Sequence, residues 1–511
     1  MEGEAQEYKA LEFMGEEEEE VTEPVSPTGQ YFNSSVLSIC ILAVLESEVP
    51  IDDSLTMTLL KDVFLPINPR FSSVMVNDKN GEKQWKRVEV QLQDHVNIPV
   101  FPSGLSAISY ENCFDDYISR TALKKFPQSQ PLWEIHIVKY PTTKAAGNII
   151  FKLHHALGDG FSLMGALLSC LQRADNPSLS LTFPALQLPS NPDCSFSKMN
   201  INIVPKCISS IFNTVSDFGW SLLKSSFVED SRTPIRSGDE KVQFKPISIS
   251  TFTFSLDHIK QIKSRLGVTI NDVITGIIFY GTRLYMQTAD DKSTTAHSTA
   301  LVLLNTRTIS GYRSVKEMIK TDAESPWGNQ FGFLHVSVPE LTDSSFSKPL
   351  EFVKIAQEII QRKRASLAVN LTGRLLEILR KFRGPEATAM YIRKTLFNSS
   401  MTISNIIGPV DKMAVANHPI KGFYFMVVGV PQVRVSFYFF PSVNLILTLC
   451  SSTTAWNNSY TIDFRKLGSL DLWVPLTNLF IRCMRFLRSD FGKRIQAKSA
   501  SLSLTCSFTA T

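Results

Sequence analysis

The sequence predicts a two-part α/β (α+β) protein of layered sheets and helices. Three observations carry this expectation. At 511 residues the chain is too long for one ordinary hydrophobic core. Strand-like and helix-like stretches alternate on both sides of the middle. Between them, residues 176–246 begin rich in Pro, Ser and Asn and continue as an amphipathic stretch, which reads as a linker. The expected organisation is an acidic disordered tail (1–29), a first folded half (30–175), the linker (176–246), a second folded half (247–432) and a divergent tail (433–511).

Composition narrows the class. Hydrophobic residues make up 43% and charged residues 20%, as in a globular enzyme. A net charge of +4 argues against a dedicated nucleic-acid binder. The 8 cysteines are scattered, with no CxxC and no zinc-like Cys/His spacing, so they read as reduced thiols and no metal is expected. Met1–Glu20 is acidic, unlike a secretory or transit peptide. No apolar run reaches 18 residues, so no segment demands a membrane span.

In chain order, Glu16–Glu20 followed by Pro24 and Pro27 marks a solvated tail. Val36–Leu45 is apolar but short, and is expected to be buried. Trp85–Leu92 alternates like a half-buried strand, and Tyr110–Lys125 reads as a helix. Trp133–Val138 reads as a strand able to pair beside Gly147–Leu153. For Pro131, Leu132 and Trp133, core packing of the indole and contact with substrate are both open. Ile203–Phe227 carries apolar residues at helical spacing, flanked by Lys206 and Lys224. It is a candidate membrane-surface helix, or a bridging helix packed on the enzyme.

The second half opens with the alternating strand Ile247–Phe254, then a helix from Ser255 to Gly267. Thr269, three residues before Asp272, forms an acidic variant of the capping box, so Asn271 and Asp272 have a capping role ahead of helix Val273–Met286. Strand Ala300–Leu304 ends in Asn305-Thr306-Arg307, and Asn329–Phe333 leads into strand Leu334–Val338. Helices are expected over Lys348–Ala368 and Arg374–Lys394. Met401–Asn405 is a strand before a Gly408-Pro409 turn. Ser404 and Asn405 there serve either turn chemistry or hydrogen bonding to an oxyanion. Beyond Gln432 no periodicity is evident. Gln432–Ser436 can be encoded by codons that read as a splice donor, so a retained intron or mispredicted exon, and with it a second half lacking its last elements, is expected. The basic and apolar stretch Phe480–Arg494 could lie on an anionic membrane.

The chemistry concentrates in Phe151–Gly160, FKLHHALGDG. A buried strand delivers His154 and His155 to its end, and Gly158-Asp159-Gly160 turns into a helix over Phe161–Leu168. An imidazole with a reference pKa near 6.5 supplies a neutral base at physiological pH. A base so placed contributes roughly 10²–10⁴-fold to deprotonating an attacking hydroxyl. Asp159 could polarise that base or hold the loop by pairing with an arginine. The spacing favours the second task, with Arg307 as the partner across the halves.

His154-His155-Ala156-Leu157-Gly158-Asp159-Gly160 resembles the active-site motif of acyl-CoA-dependent acyltransferases related to condensation domains. Pro131-Leu132-Trp133-Glu134, Asn271-Asp272-Val273 and Ser404-Asn405-Ile406-Ile407-Gly408-Pro409 make the chain, over roughly 30–432, similar to the plant wax ester synthase/diacylglycerol acyltransferase family. The resemblance implies two chloramphenicol-acetyltransferase-like domains with the active-site tunnel between them. It implies His155 as general base in direct transfer from fatty acyl-CoA to a long-chain alcohol or diacylglycerol, without acyl-enzyme or cofactor. His154 would orient the loop, Asp159 and Gly160 would shape it, and Asn271 and Asp272 would shape the site indirectly. The membrane surface it implies is the cytosolic face of the endoplasmic reticulum, or the plasma membrane. Two alternatives stay open: a phenolic or amine acceptor, and a non-catalytic lipid-binding relative with a defective C-terminus.

Overall fold

The computed structural model describes residues 22–79, 82–182, 203–239, 247–289, 291–307, 315–318, 320, 327–341, 349–406, 408–429, 435–441 and 445–452. In the first half β1 is Thr22–Pro24, α1 Pro27–Phe32, β2 Cys40–Ser47, β3 Ser73–Asn77, β4 Lys83–Arg87 and β5 Val96–Asn97. Then follow α2 Ala107–Leu123, β6 Trp133–Val138, β7 Gly147–His154, α3 Gly160–Ser169, β8 Leu171–Arg173 and α4 Ile203–Ser226. The second half comprises β9 Ile247–Phe254, α5 Leu256–Leu266, α6 Ile270–Ala289, β10 Thr299–Asn305, β11 Phe331–Ser337 and α7 Pro349–Arg364. It closes with α8 Ala368–Asn398, β12 Met401–Asn405, β13 Met413–Val415, β14 His418–Val428, β15 Val435–Pro441 and β16 Leu445–Ser452.

The first large sheet runs β5-β6-β7-β2-β14-β13-β8. At its centre β7 lies antiparallel to β2, from Cys40 opposite His154 to Ser47 opposite Gly147. Every residue of β7 is buried, which is why Gly147–Leu153 reads as a continuous apolar run rather than an alternating one. Tyr110, Phe114 and Ile118 of α2 and Leu163, Ala166 and Leu167 of α3 share its hydrophobic core. The second large sheet runs β11-β10-β12-β15-β16-β9, with β10, β12 and β15 parallel and both flanks antiparallel. Helices α6 and α7 cover it through Val273, Ile277, Phe352 and Val353. They approach closely because Gly276 has no side chain: a Cβ there would stand 2.6 Å from the Val353 Cα.

Three expectations are corrected. The second half is not a continuous unit over 247–432, because β13 and β14 leave it for the first sheet. There β14 pairs with β2 along Ile420–Val428. An apolar edge of β2 would otherwise be left with unpaired backbone groups, and the buried run Phe423–Met426 closes it. The tail does not extend to residue 29: β1 pairs with β4, Ser26 caps α1, and Gly29, Gln30, Tyr31 and Phe32 are buried. Nor does the second sheet lack its last elements. β15 pairs with β12, and β16 pairs with β9 at all eight positions from Leu445–Phe254 to Ser452–Ile247. Strands set inside a sheet need not alternate, so SFYFF and LILTLC gave no period of two.

Smaller differences are local. The strand expected to reach Leu92 ends at Arg87. The helix expected over Arg374–Lys394 extends to Ala368–Asn398 and bends at Gly384-Pro385, where Gly384 has φ 81°. Residues 1–21, the Pro-rich 183–202 and the tail beyond 452, including Phe480–Arg494, lie outside the described residues.

Candidate active site

The two histidines leave the end of β7 as structurally different groups. His154 N donates to Leu132 O at 2.9 Å and His155 N to Ile39 O at 2.9 Å. The Ala156 amide donates to His154 Nδ1 at 3.1 Å, so the proton sits on Nε2, which faces Ser38 Oγ at 3.3 Å. Burial, reinforced by the neighbouring His155, Lys83 and Lys152, pushes the His154 pKa down to about 3. His154 is therefore a neutral structural residue of the strand end.

His155 is held by Asn329 of the second half. Asn329 Oδ1 lies 2.8 Å from Nδ1, and Asn329 Nδ2 donates to the His155 carbonyl at 2.9 Å. The reciprocal pair fixes the amide orientation, and with it the tautomer. An amide oxygen only accepts, so Nδ1 carries hydrogen and Nε2 presents its lone pair. The ring packs against Phe32 and Phe331, with centroids at 4.8 and 5.4 Å, while the two phenyl rings stack on each other at 5.9 Å. Burial lowers its pKa below 6.5, partly offset by Asp159 and by the Asn329 hydrogen bond. Because the unfolded chain takes up protons at these positions first, stability falls as pH drops below about 6.5.

Asp159 does not reach the base. It caps α3 by accepting from Ser162 N at 3.0 Å. Arg307 binds it with both arms of the guanidinium, Nη1 to Oδ2 at 2.5 Å and Nη2 to Oδ1 at 3.2 Å, and Gln330 N donates to Oδ2 at 2.9 Å. The Arg307 side chain is fully buried, and it also donates to Gly328 O at 2.7 Å and Ser162 Oγ at 3.1 Å. The spacing argument for a loop-holding carboxylate agrees with this geometry.

The partner loop is Trp327-Gly328-Asn329-Gln330, of which the sequence marks only Asn329 and Gln330, as the approach to a strand. Trp327 Nε1 donates to Leu157 O at 2.8 Å, and Gly328 O accepts from Ser162 Oγ at 3.1 Å. Gly328 adopts φ 128°, a conformation open to glycine. A Cβ at Gly160 would meet the end of the Ile406 side chain, Cδ1 at 2.6 Å, so a larger residue there would make Ile406 shift. No motif signalled these residues. The only local cue is a Trp-Gly pair ahead of a strand.

The remaining candidates are supports. Trp133 is fully buried, donates Nε1–H to Phe71 O at 2.8 Å and stacks on His95 at 4.1 Å, and Pro131 and Leu132 are buried beside it. In the structure this motif is packed in the core. Thr269 and Asp272 form the reciprocal cap, Asp272 Oδ2 accepting from Thr269 N at 2.8 Å and Thr269 Oγ1 from Asp272 N at 3.2 Å. Asn405 Nδ2 donates to Asn271 Oδ1 at 2.5 Å, tying the start of α6 to the end of β12. Ser404 is buried, and the hydrogen bond described for this pair runs to Asn271 rather than to His155. Beyond Phe32 and Phe331 lies a cavity of about 70 Å³, lined by α1, α4, β11 and α8.

Two family models match the chain: a wax ester synthase/diacylglycerol acyltransferase catalytic domain over residues 64–274 and a WS/DGAT C-terminal domain over 327–455. Together they span about two thirds of the sequence. The second begins at Trp327 and includes β15 and β16, which the resemblance read from sequence had left out. Wax ester synthase/diacylglycerol acyltransferase 4 of Arabidopsis thaliana is 29% identical over 442 residues, 82% of this chain and 83% of that protein. Wax ester synthase/diacylglycerol acyltransferase 7 is 28% identical over 78% of this chain and 86% of its own length. Among solved structures, the wax ester synthase/diacylglycerol acyltransferase from Marinobacter aquaeolei VT8 shares the fold at TM-score 0.55 and 15% identity. That match covers 92% of this chain and 100% of that one.

The Asp159–Arg307 pair is the feature whose loss should be felt most. Asp159→Asn and Arg307→Lys should each lower the unfolding free energy by roughly 2–5 kcal/mol, since either leaves buried polar groups unmatched. Urea denaturation checks this, and an Arg307→Lys protein as stable as the parent would refute it.

Proposed function

The chain belongs to the wax ester synthase/diacylglycerol acyltransferase family, and from that premise we propose that His155 is the general base of an acyl-CoA-dependent O-acyltransferase. Its products are wax esters from fatty acyl-CoA and long-chain alcohol, and triacylglycerol from diacylglycerol. The observation that carries the proposal is the Asn329 pair, which leaves His155 Nε2 as a neutral acceptor without a partner among the described residues. The alcohol oxygen attacks the thioester carbonyl while its proton passes to Nε2. The tetrahedral oxyanion collapses, the C–S bond breaks, and the proton on Nε2 passes to the departing coenzyme A sulfur. Ester and free thiol balance the reactants, and no acyl-enzyme is needed. Asn329 is a positioning residue and Asp159 a loop-holding one. The non-catalytic alternative rested on a defective C-terminus, and β15 and β16 remove that ground.

We also propose that α4 meets a membrane surface. Its buried face is polar, with Thr214, Asp217, Ser221, Lys224 and Ser225, whereas Ile211, Phe212, Val215 and Leu223 on the other face are exposed, as is Phe227 just beyond the helix. This inverts the usual pattern of a surface helix and suits an interfacial one. Among the described residues no helix is long and apolar enough to cross a bilayer.

Three outcomes follow. With radiolabelled palmitoyl-CoA and hexadecanol or diacylglycerol, the wild-type chain forms ester and His155→Ala loses roughly 10²–10⁴-fold. Folded protein without ester would overturn the assignment. Because the folded pKa of His155 lies below 6.5, the acid limb of kcat/KM falls below that pH. Asn329→Asp should raise the limb by about one unit or more, since a carboxylate beside Nδ1 favours the imidazolium. An unmoved limb would count against His155 as the titrating base. In flotation with liposomes, Phe212→Asp with Phe227→Asp should leave the protein in the soluble fraction, and unchanged flotation would exclude α4 as the contact.

A further inference from the structure

The positive charge of the chain is concentrated in one place. Residues 362–383 hold seven Lys and Arg against the single acid Glu377, a net +6. The whole chain is +4, so everything else sums to −2. This stretch ends α7 and forms the first arm of α8, up to the bend at Gly384-Pro385. None of residues 368–387 is fully buried, whereas Thr388, Ala389 and Ile392 beyond the bend are.

The two faces of the arm differ. Its inner face lies on the second sheet, where Val369, Thr372 and Leu376 line the small cavity beside Phe331 and Phe333. Val369 comes close because Gly332 has no side chain: a Cβ there would stand 2.4 Å from Val369 Cγ1. The outer face mixes cations with apolar groups. Arg374, Ile378 and Phe382 follow one another at four-residue spacing, with Lys381 beside them, and all four are exposed. Leu367, just before the helix, is exposed too. Arg380 and Lys381 approach Glu377 at 2.9 and 3.8 Å, but surface pairs of this kind contribute little. No ion pair joins Arg364, Arg374 or Arg383 to an acid among the described residues. This face continues that of α4. Arg362 Nη1 donates to Asn213 Oδ1 at 3.2 Å, and Leu367 N to Thr214 Oγ1 at 3.2 Å. Phe212 and Val215, next to those α4 residues, are exposed. Val215 and Leu223 also share a groove of about 540 Å³ with Arg362 and Lys363.

We propose that the end of α7 and the first arm of α8 form a docking surface, continuous with α4, for a bilayer that bears anionic phospholipids. The inference extends the α4 reading: α4 supplies apolar area, and this stretch selects the lipid charge. Charge complementarity and the mixed outer face together name the occupant. A polyanion such as a nucleic acid would meet the cations alone and leave Ile378 and Phe382 in water. A bilayer interface takes both, with apolar side chains at the acyl boundary and Lys and Arg among the headgroup phosphates. Each Lys or Arg near an anionic leaflet strengthens binding roughly fivefold.

Flotation of the full chain tests this, with vesicles of phosphatidylcholine alone or of an equimolar mixture of phosphatidylcholine and phosphatidylserine. The wild type should favour the serine-containing vesicles by roughly tenfold or more, and molar salt should erase the preference by screening. Arg374→Gln, Lys381→Gln and Arg383→Gln together should weaken binding to the anionic vesicles roughly 10–100-fold and leave binding to phosphatidylcholine unchanged. Glutamine preserves the helix. Arg374→Lys with Arg383→Lys keeps the charge and should bind as the wild type does, so that a lost fold cannot imitate a lost charge. Equal flotation on both vesicles overturns the proposal and leaves the α4 reading intact. A preference that survives in the glutamine variant overturns it as well. Flotation on neither vesicle overturns both. Loss in the glutamine variant but not in Phe212→Asp with Phe227→Asp supports this surface and removes α4 alone.

Discussion

The bidentate pair between Asp159 and Arg307 is the contact on which the rest of the site depends. It joins the turn after β7 to the strand end of β10 with both charges out of water. Such a pair is tolerable only when its oxygens and hydrogens are fully used. Here they are: Asp159 accepts from Ser162 N, Gln330 N and both Arg307 nitrogens. A carboxylate so engaged has no capacity left to polarise His155. The task of orienting the imidazole falls to Asn329, the residue after Gly328, whose carbonyl Arg307 also binds. One loop thus reads the charge of Asp159 and the tautomer of His155 together. A neutral amide as orienting group also leaves the depression of the His155 pKa by burial largely intact.

That arrangement requires the two halves to be fixed relative to each other, and the sheet topology provides this. β14 crosses from the second half to close the free edge of β2, the strand beside β7. The chain then returns through β15 to the second sheet, next to β12. Since β7 ends in His154 and β12 is followed by Ile406, which touches Gly160, backbone pairing in both sheets sets the distance across the site. A hinge between independent domains would leave that distance to a few loop contacts.

Much of this was legible in the sequence. The β7–turn–α3 unit announced itself by a buried apolar run, two histidines and a Gly-Asp-Gly turn, and the capping box at Thr269–Asp272 by its three-residue spacing. Arg307 was found because a buried carboxylate at a turn needs a cation and a strand end can supply one. What could not be read is long-range pairing. Nothing local in His418–Val428 says which sheet it joins, because its apolar residues would satisfy either edge. The pair β15 and β16 hid for a related reason: interior strands lose the period of two that marks a half-solvated one. Asn329 was invisible because an amide that orients a ring 174 positions away leaves no mark on its own neighbours.

For His155 as the proposed base, burial has a cost that the chemistry explains. His155 is 5% exposed, packed against two phenyl rings, and burial disfavours its charged form. A base that becomes cationic during reaction would be better served in water by that criterion alone. Water, however, is a competing nucleophile for a thioester, at a concentration no alcohol can match. In the proposed mechanism, enclosure by Phe32 and Phe331 would trade some basicity for selectivity against hydrolysis, and the imidazolium would be met by the nearby Asp159 charge, which raises the pKa from the burial limit. On that proposal the carboxylate serves twice through one position: it locks the loop by contact, and its field, without a hydrogen bond, favours the protonated form of His155.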